Sequence, residues 1–201
     1  MRPILTERLV IRNWEEGDRG LFHRLNSDEQ VMEFFPFRRD RVQSDQLFDR
    51  LRQDIDDRGF GFAALELKQT GECIGFAGLH PADVSSLPPG TIEIGWRTIP
   101  EHWGNGYVTE AANAWLDYGF EALGLTEIVS FAVWNNKRSI AVMERIGMTA
   151  DPSRDFDHPA VPNSHPHLKR HVLYRISDEK WRQRRASAEA RANPGSTPSA
   201  E

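Results

Sequence analysis

Residues 103–111, Trp-Gly-Asn-Gly-Tyr-Val-Thr-Glu-Ala, carry more structural information than any other part of this chain. They join a strand-like segment, 91–96, to a helix whose apolar side carries Val108, Ala111, Ala112, Trp115, Leu116 and Phe120. A helix N-terminus attracts anions because it presents unpaired backbone N–H groups and the positive end of the helix dipole. Gly104 and Gly106 let the backbone come close to such a ligand, since neither has a Cβ atom. The stretch therefore predicts a phosphate site directly after a strand.

Two familiar phosphate motifs do not describe this loop. Thr109 stands where a dinucleotide-binding fingerprint requires its third glycine, and the chain contains no Gly-x4-Gly-Lys-Ser/Thr sequence. Two glycines alone would also fit an ordinary strand-to-helix turn. The interpretation therefore depends on a second segment further along the chain.

That second segment is 134–139, Trp-Asn-Asn-Lys-Arg-Ser, followed by a helix-like run that ends at Gly147 and Met148. Together the two segments closely resemble the GNAT family of N-acetyltransferases, in particular the branch typified by the ribosomal-protein acetyltransferases RimJ and RimL. The first motif of that branch reads W-G-x-G-Y-x-T-E-A. The second reads N-x-x-S, followed after about seven residues by a glycine and an apolar residue, which Asn136, Ser139, Gly147 and Met148 match. The resemblance covers roughly residues 4–181.

The order of predicted elements is strand, helices, three strands, helix, strand, helix, strand, which indicates a mixed α/β (α+β) domain. The resemblance implies the GNAT fold, a mixed and mostly antiparallel sheet flanked by helices, with parallel strands at 91–99 and 127–134 that splay apart. We predict a single domain over 1–181. Residues 182–201 are predicted to be a fraying helix that gives way to a disordered tail. The capping-box spacing of 27–30 predicts a short helix that stops near Pro36.

The resemblance implies that acetyl-CoA is the acetyl donor. Its pyrophosphate would lie on the backbone N–H groups of 104–109, and its pantetheine arm on the backbone near Trp96. The family's asparagine binds the pantetheine region, although Asn136 would equally serve as a helix N-cap. Arg138 would reach the 3′-phosphate, or would simply be solvated. The residues predicted to bind acetyl-CoA are Trp96, Arg97, Thr98, Trp103, Gly104, Asn105, Gly106, Tyr107, Val108, Thr109, Asn136, Arg138 and Ser139.

Two residues are predicted to be catalytic. Glu93 interrupts the apolar strand between Ile92 and Ile94, and a carboxylate in apolar surroundings has a raised pKa suited to proton transfer. The alternatives for Glu93 are a structural salt bridge or a side chain that faces solvent. Ser139 is placed near the coenzyme A sulfur by the resemblance and would assist thiolate departure. Many GNAT enzymes carry a tyrosine acid seven residues after the asparagine, where this chain has Met143.

The predicted reaction is direct acetyl transfer from acetyl-CoA to a primary amine, because no cysteine nucleophile lies in either motif. A protein N-terminal α-amine and a small-molecule amine are both compatible with the resemblance. The connection before the last strand borders the acceptor cleft in the GNAT fold. Asp155, Asp157 and His158 are therefore predicted to bind the acceptor, or to supply a base if Glu93 does not.

The same loop supports a competing interpretation, since Asp155, Asp157 and four histidines fall within 155–171. Such a cluster suggests a metal-dependent hydrolase or a zinc-stabilised binding module. The spacing fits no helical His-x3-His ligand pair, however, and three prolines make the stretch a loop. We therefore predict no metal site. A non-catalytic GNAT domain that only binds coenzyme A is a third possibility.

Composition sets the remaining expectations. A net charge of −5 does not suit non-specific nucleic-acid binding. No apolar run approaches the length of a membrane span, and no signal-peptide pattern is present. The single cysteine, Cys73, fits a reducing compartment. We therefore expect a cytoplasmic protein without nucleic-acid or membrane partners, and a homodimer is possible.

Overall fold

The computed structural model describes residues 1–192. Its helices are α1 (Arg19–Ser27), α2 (Arg41–Arg58), α3 (Tyr107–Asp117), α4 (Lys137–Arg145) and α5 (Asp178–Ala192), and one π-helical turn, Tyr118–Ala122, extends α3. The strands are β1 (Ile4–Leu5), β2 (Leu9–Arg12), β3 (Phe62–Leu67), β4 (Cys73–Pro81), β5 (Ile92–Thr98), β6 (Glu127–Val133), β7 (Thr149–Ala150), β8 (Phe156–Asp157) and β9 (Arg170–Ser177).

Within the described chain these strands form one sheet, in the order β1-β2-β3-β4-β5-β6-β9-β7, with β8 paired to β9. The β5–β6 contact is parallel, whereas the other strand pairs are antiparallel. Strand β5 pairs with β4 from Ile92 to Thr98, yet it meets β6 in register only at Glu93 and Val129. The two parallel strands therefore separate beyond this point, and the predicted GNAT fold is confirmed.

The core lies on both faces of the sheet. On one face α3 buries Trp115 and Leu116 completely, and its C-terminal turn adds Phe120. On the other face α1 and α2 cover an aromatic cluster in which Trp14 meets Phe22 edge-on at 4.9 Å between ring centroids. Helix α2 begins at the Asp40 capping box and ends at Gly59, whose φ of 79° is typical of a glycine C-cap.

The helix predicted between Ser27 and Pro36 is wrong. Ser27 is the last residue of α1, and Asp28 takes an extended backbone conformation with ψ 130°. The Asp28 carboxylate then accepts hydrogen bonds from the N–H groups of Gln30 and Val31. These bonds cap one turn, in which the Met32 N–H donates to the Asp28 carbonyl at 3.0 Å, but helical bonding does not continue beyond it and residues 29–34 form successive turns. The segment 28–40 consequently becomes a covering loop between α1 and α2.

Helix α5 continues to Ala192 and so includes the first part of the segment 182–201, which was predicted to begin as a fraying helix. Trp181 is buried and donates its indole N–H to Asp117 at 2.9 Å. The Arg184 guanidinium donates to the carbonyl of Arg145 at 2.8 Å. Helix α5 is therefore docked on α3 and α4. The disorder predicted further on concerns 193–201, which lie outside the described residues.

Candidate active site

A cavity of about 1650 Å³ opens where β5 and β6 separate. Its walls come from the segment 28–40, the cavity-facing side of β5, the loop 103–109, and α4. The sequence-predicted residues that line it are Glu93, Trp96, Arg97, Thr98, Trp103, Gly104, Asn105, Gly106, Tyr107, Val108, Thr109, Asn136, Arg138, Ser139 and His158. Fold and sequence motifs thus bring almost the whole predicted site together, and Asp155 and Asp157 are the exceptions.

The loop before α3 presents a row of free backbone donors. Gly104 and Gly106 have φ values of 78° and 80°, in the left-handed region that favours glycine. The N–H groups of residues 104–109 donate to no acceptor within residues 1–192, and the first bond of the helix runs from Glu110 N–H to the Gly106 carbonyl. Donors in this arrangement suit a pyrophosphate, so the residues present fit coenzyme A.

Glu110 and Arg8 hold this loop in place, and the sequence reasoning missed both. The Glu110 carboxylate accepts from the Arg8 guanidinium at 2.6 Å, the Arg8 N–H at 2.7 Å and the Thr6 hydroxyl at 2.5 Å. Arg8 also donates to the Asn105 carbonyl at 3.0 Å and lies over the Tyr107 ring at 4.6 Å. The acidic residue within the quoted motif was a signal for this role, although its partner lies about a hundred residues away.

Glu93 faces the cavity from β5 without a polar partner. Its half-buried carboxylate makes no hydrogen bond or salt bridge within the described part of the chain. Burial raises the pKa of Glu93 to about 8. His80 is its register partner on β4, so the two side chains lie on the same face of the sheet. The salt bridge considered as an alternative for Glu93 is absent from residues 1–192.

The strand positions after Glu93 are tied to the loop and to α1. Trp103 donates its indole N–H to the Thr98 carbonyl at 2.9 Å, which fixes the loop against the end of β5. Arg97 points toward α1, where its guanidinium donates to the Asn26 side-chain oxygen at 2.9 Å. The same guanidinium lies 4.5 Å from the centre of the Phe35 ring. The backbone edge of β5 that turns away from β4 is left open, because β6 has diverged.

Asn136 is the N-cap of α4, since its side-chain oxygen accepts from the Ser139 N–H at 3.2 Å. Both residues are half-buried and line the cavity, so the capping bond leaves the Asn136 amide group and the Ser139 hydroxyl facing it. Met143 is buried at the position of the family's tyrosine acid. A thioether supplies no proton there.

Two arginines of α4 lie near the loop. Arg138, predicted to contact the 3′-phosphate, donates to Glu33 at 2.6 Å and lies 4.3 Å from the centre of the Trp103 ring. Arg145 also lines the cavity and donates to the Thr109 hydroxyl at 3.3 Å. Arg145 has no carboxylate partner within residues 1–192, which makes it a further candidate for a phosphate contact. Sequence reasoning missed Arg145 because arginine in a helix is usually solvated.

The structure does not bring Asp155 and Asp157 to the cavity. Asp155 accepts from the Leu173 N–H at 2.9 Å and from Arg170 at 3.2 Å, so it joins the loop to β9. Asp157 is exposed on β8, opposite Arg170. His158 does line the cavity, with its ring centre 5.0 Å from that of His171. Burial lowers the pKa of both histidines, which are therefore neutral at neutral pH.

The metal interpretation of this loop has no ligand set to support it. No three His, Cys, Asp or Glu side chains among the described residues are arranged to hold a metal ion. His158 and His171 pack against Phe131 and Phe156 instead. Histidine here forms part of an aromatic cavity wall.

Comparison with known proteins agrees with this geometry. Residues 8–149 match the family model described as an acetyltransferase (GNAT) domain. The Bacillus subtilis protein YkkB is 34% identical over 146 residues, which is 72% of this chain and 84% of YkkB. YnaD of the same organism, named an uncharacterized N-acetyltransferase, is 29% identical over 89% of this chain and 98% of its own. A GNAT-family acetyltransferase structure from Bacillus anthracis superposes with a TM-score of 0.73 and 28% identity, covering 88% and 99% of the two chains.

A cavity between diverging parallel strands, beside a glycine loop with free N–H groups, belongs to an acetyltransferase fold of the GNAT type. This chain belongs to the GNAT family of acetyltransferases. Its described helices include none that is both long and apolar enough to cross a bilayer.

Proposed function

We propose that this protein is an N-acetyltransferase that moves the acetyl group of acetyl-CoA directly to a primary amine. One observation carries the proposal: the unpaired carboxylate of Glu93 and the free N–H groups of residues 104–109 face the same cavity. The first group suits a proton acceptor and the second suits a pyrophosphate. Membership of the GNAT family supports both assignments.

The loop residues bind and orient the donor. The N–H groups of 104–109 hold the pyrophosphate, with the Thr109 hydroxyl and Arg145 beside them. Arg138 reaches the 3′-phosphate with the guanidinium N–H groups that its bond to Glu33 leaves free. The open edge of β5 at Trp96–Thr98 holds the pantetheine arm and polarises the thioester carbonyl, and Asn136 contacts the same arm. Acetyl-CoA supplies an activated acyl group with a thiolate leaving group.

Glu93 acts as the general base, directly or through one water. The amine nitrogen forms a bond to the acetyl carbon, the carbon–sulfur bond breaks, and the proton lost by the amine passes to the Glu93 carboxylate. A pKa of about 8 suits this role, because a carboxylate with a much lower pKa would accept the proton from the amine only weakly. His158 lines the same cavity and contacts the acceptor.

Ser139 protonates the departing thiolate, or directs a water that does so. Its hydroxyl makes no hydrogen bond within residues 1–192, and it faces the cavity one turn into α4. Met143 cannot serve, so Ser139 is the group near the proposed sulfur position that carries an exchangeable proton.

The acceptor amine belongs either to a protein N-terminus or to a small molecule. The RimJ/RimL-like motif favours the former, and the cavity volume of about 1650 Å³ admits the latter beside the donor. The single cysteine fits a cytoplasmic enzyme. A homodimer is compatible with this function.

Calorimetric titration with acetyl-CoA tests the proposal, followed by thiol-release assays with a panel of amines. We expect micromolar binding that is lost in Gly106→Glu, which places an anion in the pyrophosphate loop, and acetylation of at least one amine class. Gly124→Glu is the matched control, because Gly124 also has a positive φ, of 64°, but lies outside the cavity lining. Failure of the folded wild-type protein to bind acetyl-CoA would overturn the proposal.

A further inference from the structure

Besides Arg38, which donates to backbone carbonyls, and Arg145 on α4, three further arginines beside the cavity have no carboxylate partner within residues 1–192. They are Arg39 in the segment 28–40, Arg50 on α2 and Arg97 on β5, and we call them the arginine cluster. Arg50 and Arg97 line the main cavity, while Arg39 and Arg50 line a smaller recess of about 430 Å³ that shares Phe37, Leu47 and Arg50 with it. The cluster therefore forms one continuous stretch of cavity wall.

These arginines are exceptional in a chain that carries more acidic than basic groups, with 30 Asp and Glu against 25 Lys and Arg. On α2, by contrast, two arginines near Arg50 are paired: Arg52 with Glu16, and Arg58 with Asp54. Three like charges close to one another, without a counter-ion, cost free energy. An anion that enters the cavity would remove that cost.

Arg39 is within electrostatic reach of both Arg50 and Arg97. Burial, and then the charge of Arg50, lower the pKa of Arg39. Burial, and then the charge of Arg39, lower the pKa of Arg97 to about 9, which leaves it protonated at neutral pH. The first interaction joins Arg39 to Arg50 and the second joins Arg39 to Arg97, so the charge of Arg39 lies between the other two.

Two of the three guanidinium groups stack on aromatic rings. Arg39 lies 4.6 Å from the centre of the Phe37 ring, and Arg97 lies 4.5 Å from that of Phe35. Stacking of this kind stabilises the cation and fixes its plane, while its N–H groups remain free to donate in that plane. Arg97 uses one terminal nitrogen on Leu25 and Asn26, and its other N–H groups have no acceptor in the described chain. A planar fork with free donors matches a carboxylate or phosphate.

The cluster also has a defined relation to the proposed base. Glu93 and Arg97 lie on the same face of β5, four residues apart, which separates their backbones by about 13 Å. A molecule with its amine at Glu93 and an anionic group toward Arg97 would lie along this strand. The Glu33–Arg138 pair links the segment 28–40 to α4 at the rim of the cavity, which favours a small molecule over a folded protein segment.

We propose that the acceptor is a small amine bearing an anionic group, a carboxylate or a phosphate, which the arginine cluster binds. This inference rests on the proposed acetyltransferase function and narrows its substrate class. It predicts discrimination against simple monoamines and against polyamines, whose second charge would face Arg39, Arg50 and Arg97.

The test measures kcat/KM for acceptors matched in length: ω-amino acids, aminoalkylphosphonates, monoamines and diamines of three to six carbons. We expect an acid-bearing class to exceed monoamines and diamines by at least tenfold. Which acid class leads identifies carboxylate or phosphate as the preferred group. This ratio of kcat/KM values should fall at least fivefold in Arg39→Gln and in Arg50→Gln. Arg39 is half-buried and Arg50 is exposed, and neither pairs with a carboxylate in the described chain, so both variants should fold. Arg52→Gln changes a residue two positions along α2 and outside the cavity lining, so this variant should keep the wild-type ratio.

Binding to the coenzyme A-saturated protein, measured by calorimetry with the same compounds, separates the two proposals. Arginine-dependent binding of the acids without any turnover would leave the anion site standing and overturn the acetyltransferase. Equal or better use of diamines, or an acid preference that survives both variants, would overturn the anion site. So would variants that weaken acetyl-CoA binding and leave acceptor binding unchanged, because the cluster would then serve the donor.

Discussion

Glu93 of β5 and Val129 of β6 are the register partners at which the two parallel strands meet, and beyond them the strands diverge. The Ser130 hydroxyl donates to the Ile94 carbonyl at 2.9 Å and closes the junction one residue further on. The carboxylate of Glu93 therefore lies at the apex of the opening, where water has least access. This position explains why burial, and no neighbouring charge, raises the pKa of Glu93.

Replacing Glu93 with glutamine should remove the proposed base and keep its shape. We expect kcat to fall by about 10²–10⁴-fold, the usual contribution of a positioned general base. Since the base must be ionised, wild-type kcat/KM should rise with pH through about 8, and this limb should vanish in Glu93→Gln. Steady-state kinetics between pH 6 and pH 10 measure both effects. Acetyl-CoA affinity should stay the same, and an undiminished kcat would exclude Glu93 as the base.

The same carboxylate should make stability depend on pH. Its pKa is raised in the folded protein, so between about 4.5 and 8 the unfolded chain ionises first. The contribution of Glu93 to the free energy of unfolding is therefore fully present below this window. It decreases as pH rises through the window, by on the order of 1–4 kcal/mol. Urea unfolding of wild type and Glu93→Gln at pH 5 and pH 9 measures the difference. Glu93→Gln should lose less stability than wild type, and parallel losses would place the carboxylate in water.

Glu110 should contribute more to the unfolding free energy than an ordinary surface carboxylate does. Glu110→Gln removes the charge that pairs with Arg8, while the side chain keeps its size. We expect a loss of about 1–3 kcal/mol in unfolding free energy and several-fold weaker acetyl-CoA binding, because Arg8 also holds the Asn105 carbonyl. Glu121→Gln is the control, since that carboxylate pairs with Arg185 on an exposed surface, where a loss below about 1 kcal/mol is usual. Equal effects of the two substitutions would mean that Glu110 has no special role in the loop.

Gly106 should be restricted by conformation as well as by the ligand. Its φ of 80° strains any other residue, and a Cβ atom would lie 3.5 Å from the Arg8 guanidinium. Gly106→Ala should therefore cost about 1–2 kcal/mol of stability and weaken acetyl-CoA binding. Gly124→Ala carries a similar strain, with φ 64°, but has open space and lies away from the cavity. Similar unfolding midpoints with different acetyl-CoA affinities are the expected outcome, and equal affinities would contradict a binding role for the loop.

Local signals were enough to predict the strand, glycine loop and helix around residues 103–111, because each depends on residues close in sequence. The alternation that placed Glu93 on the far side of β5 from Ile94 is equally local. The helix predicted after Ser27 was wrong although its capping signal is present, since Asp28 caps a single turn and no further helical bonds follow it.

Long-range pairs explain the remaining differences. Nothing in the sequence near Asp155 reveals that its carboxylate meets the Leu173 N–H across β9, so its charge suggested a ligand instead. Arg8 and Glu110 are joined in the same way across 102 positions. Whether Arg97 has a carboxylate partner depends on which distant segments the fold places beside it. Only the folded chain therefore shows that Arg97 is unpaired within the described residues. Residues whose role depends on a distant partner were therefore the ones that sequence reasoning misplaced.

Asn136 provides a test that separates two roles of one side chain. Its oxygen caps α4, so Asn136→Ala should cost about 1 kcal/mol, or about 2–4 °C in Tm for a chain of this size. Asn136→Asp keeps the capping oxygen but has no amide N–H groups to donate. If the amide also contacts the pantetheine arm, Asn136→Asp should retain the wild-type Tm and bind acetyl-CoA about tenfold more weakly. Thermal unfolding and calorimetry on the two variants decide the matter, and wild-type affinity in Asn136→Asp would reduce the residue to a helix cap.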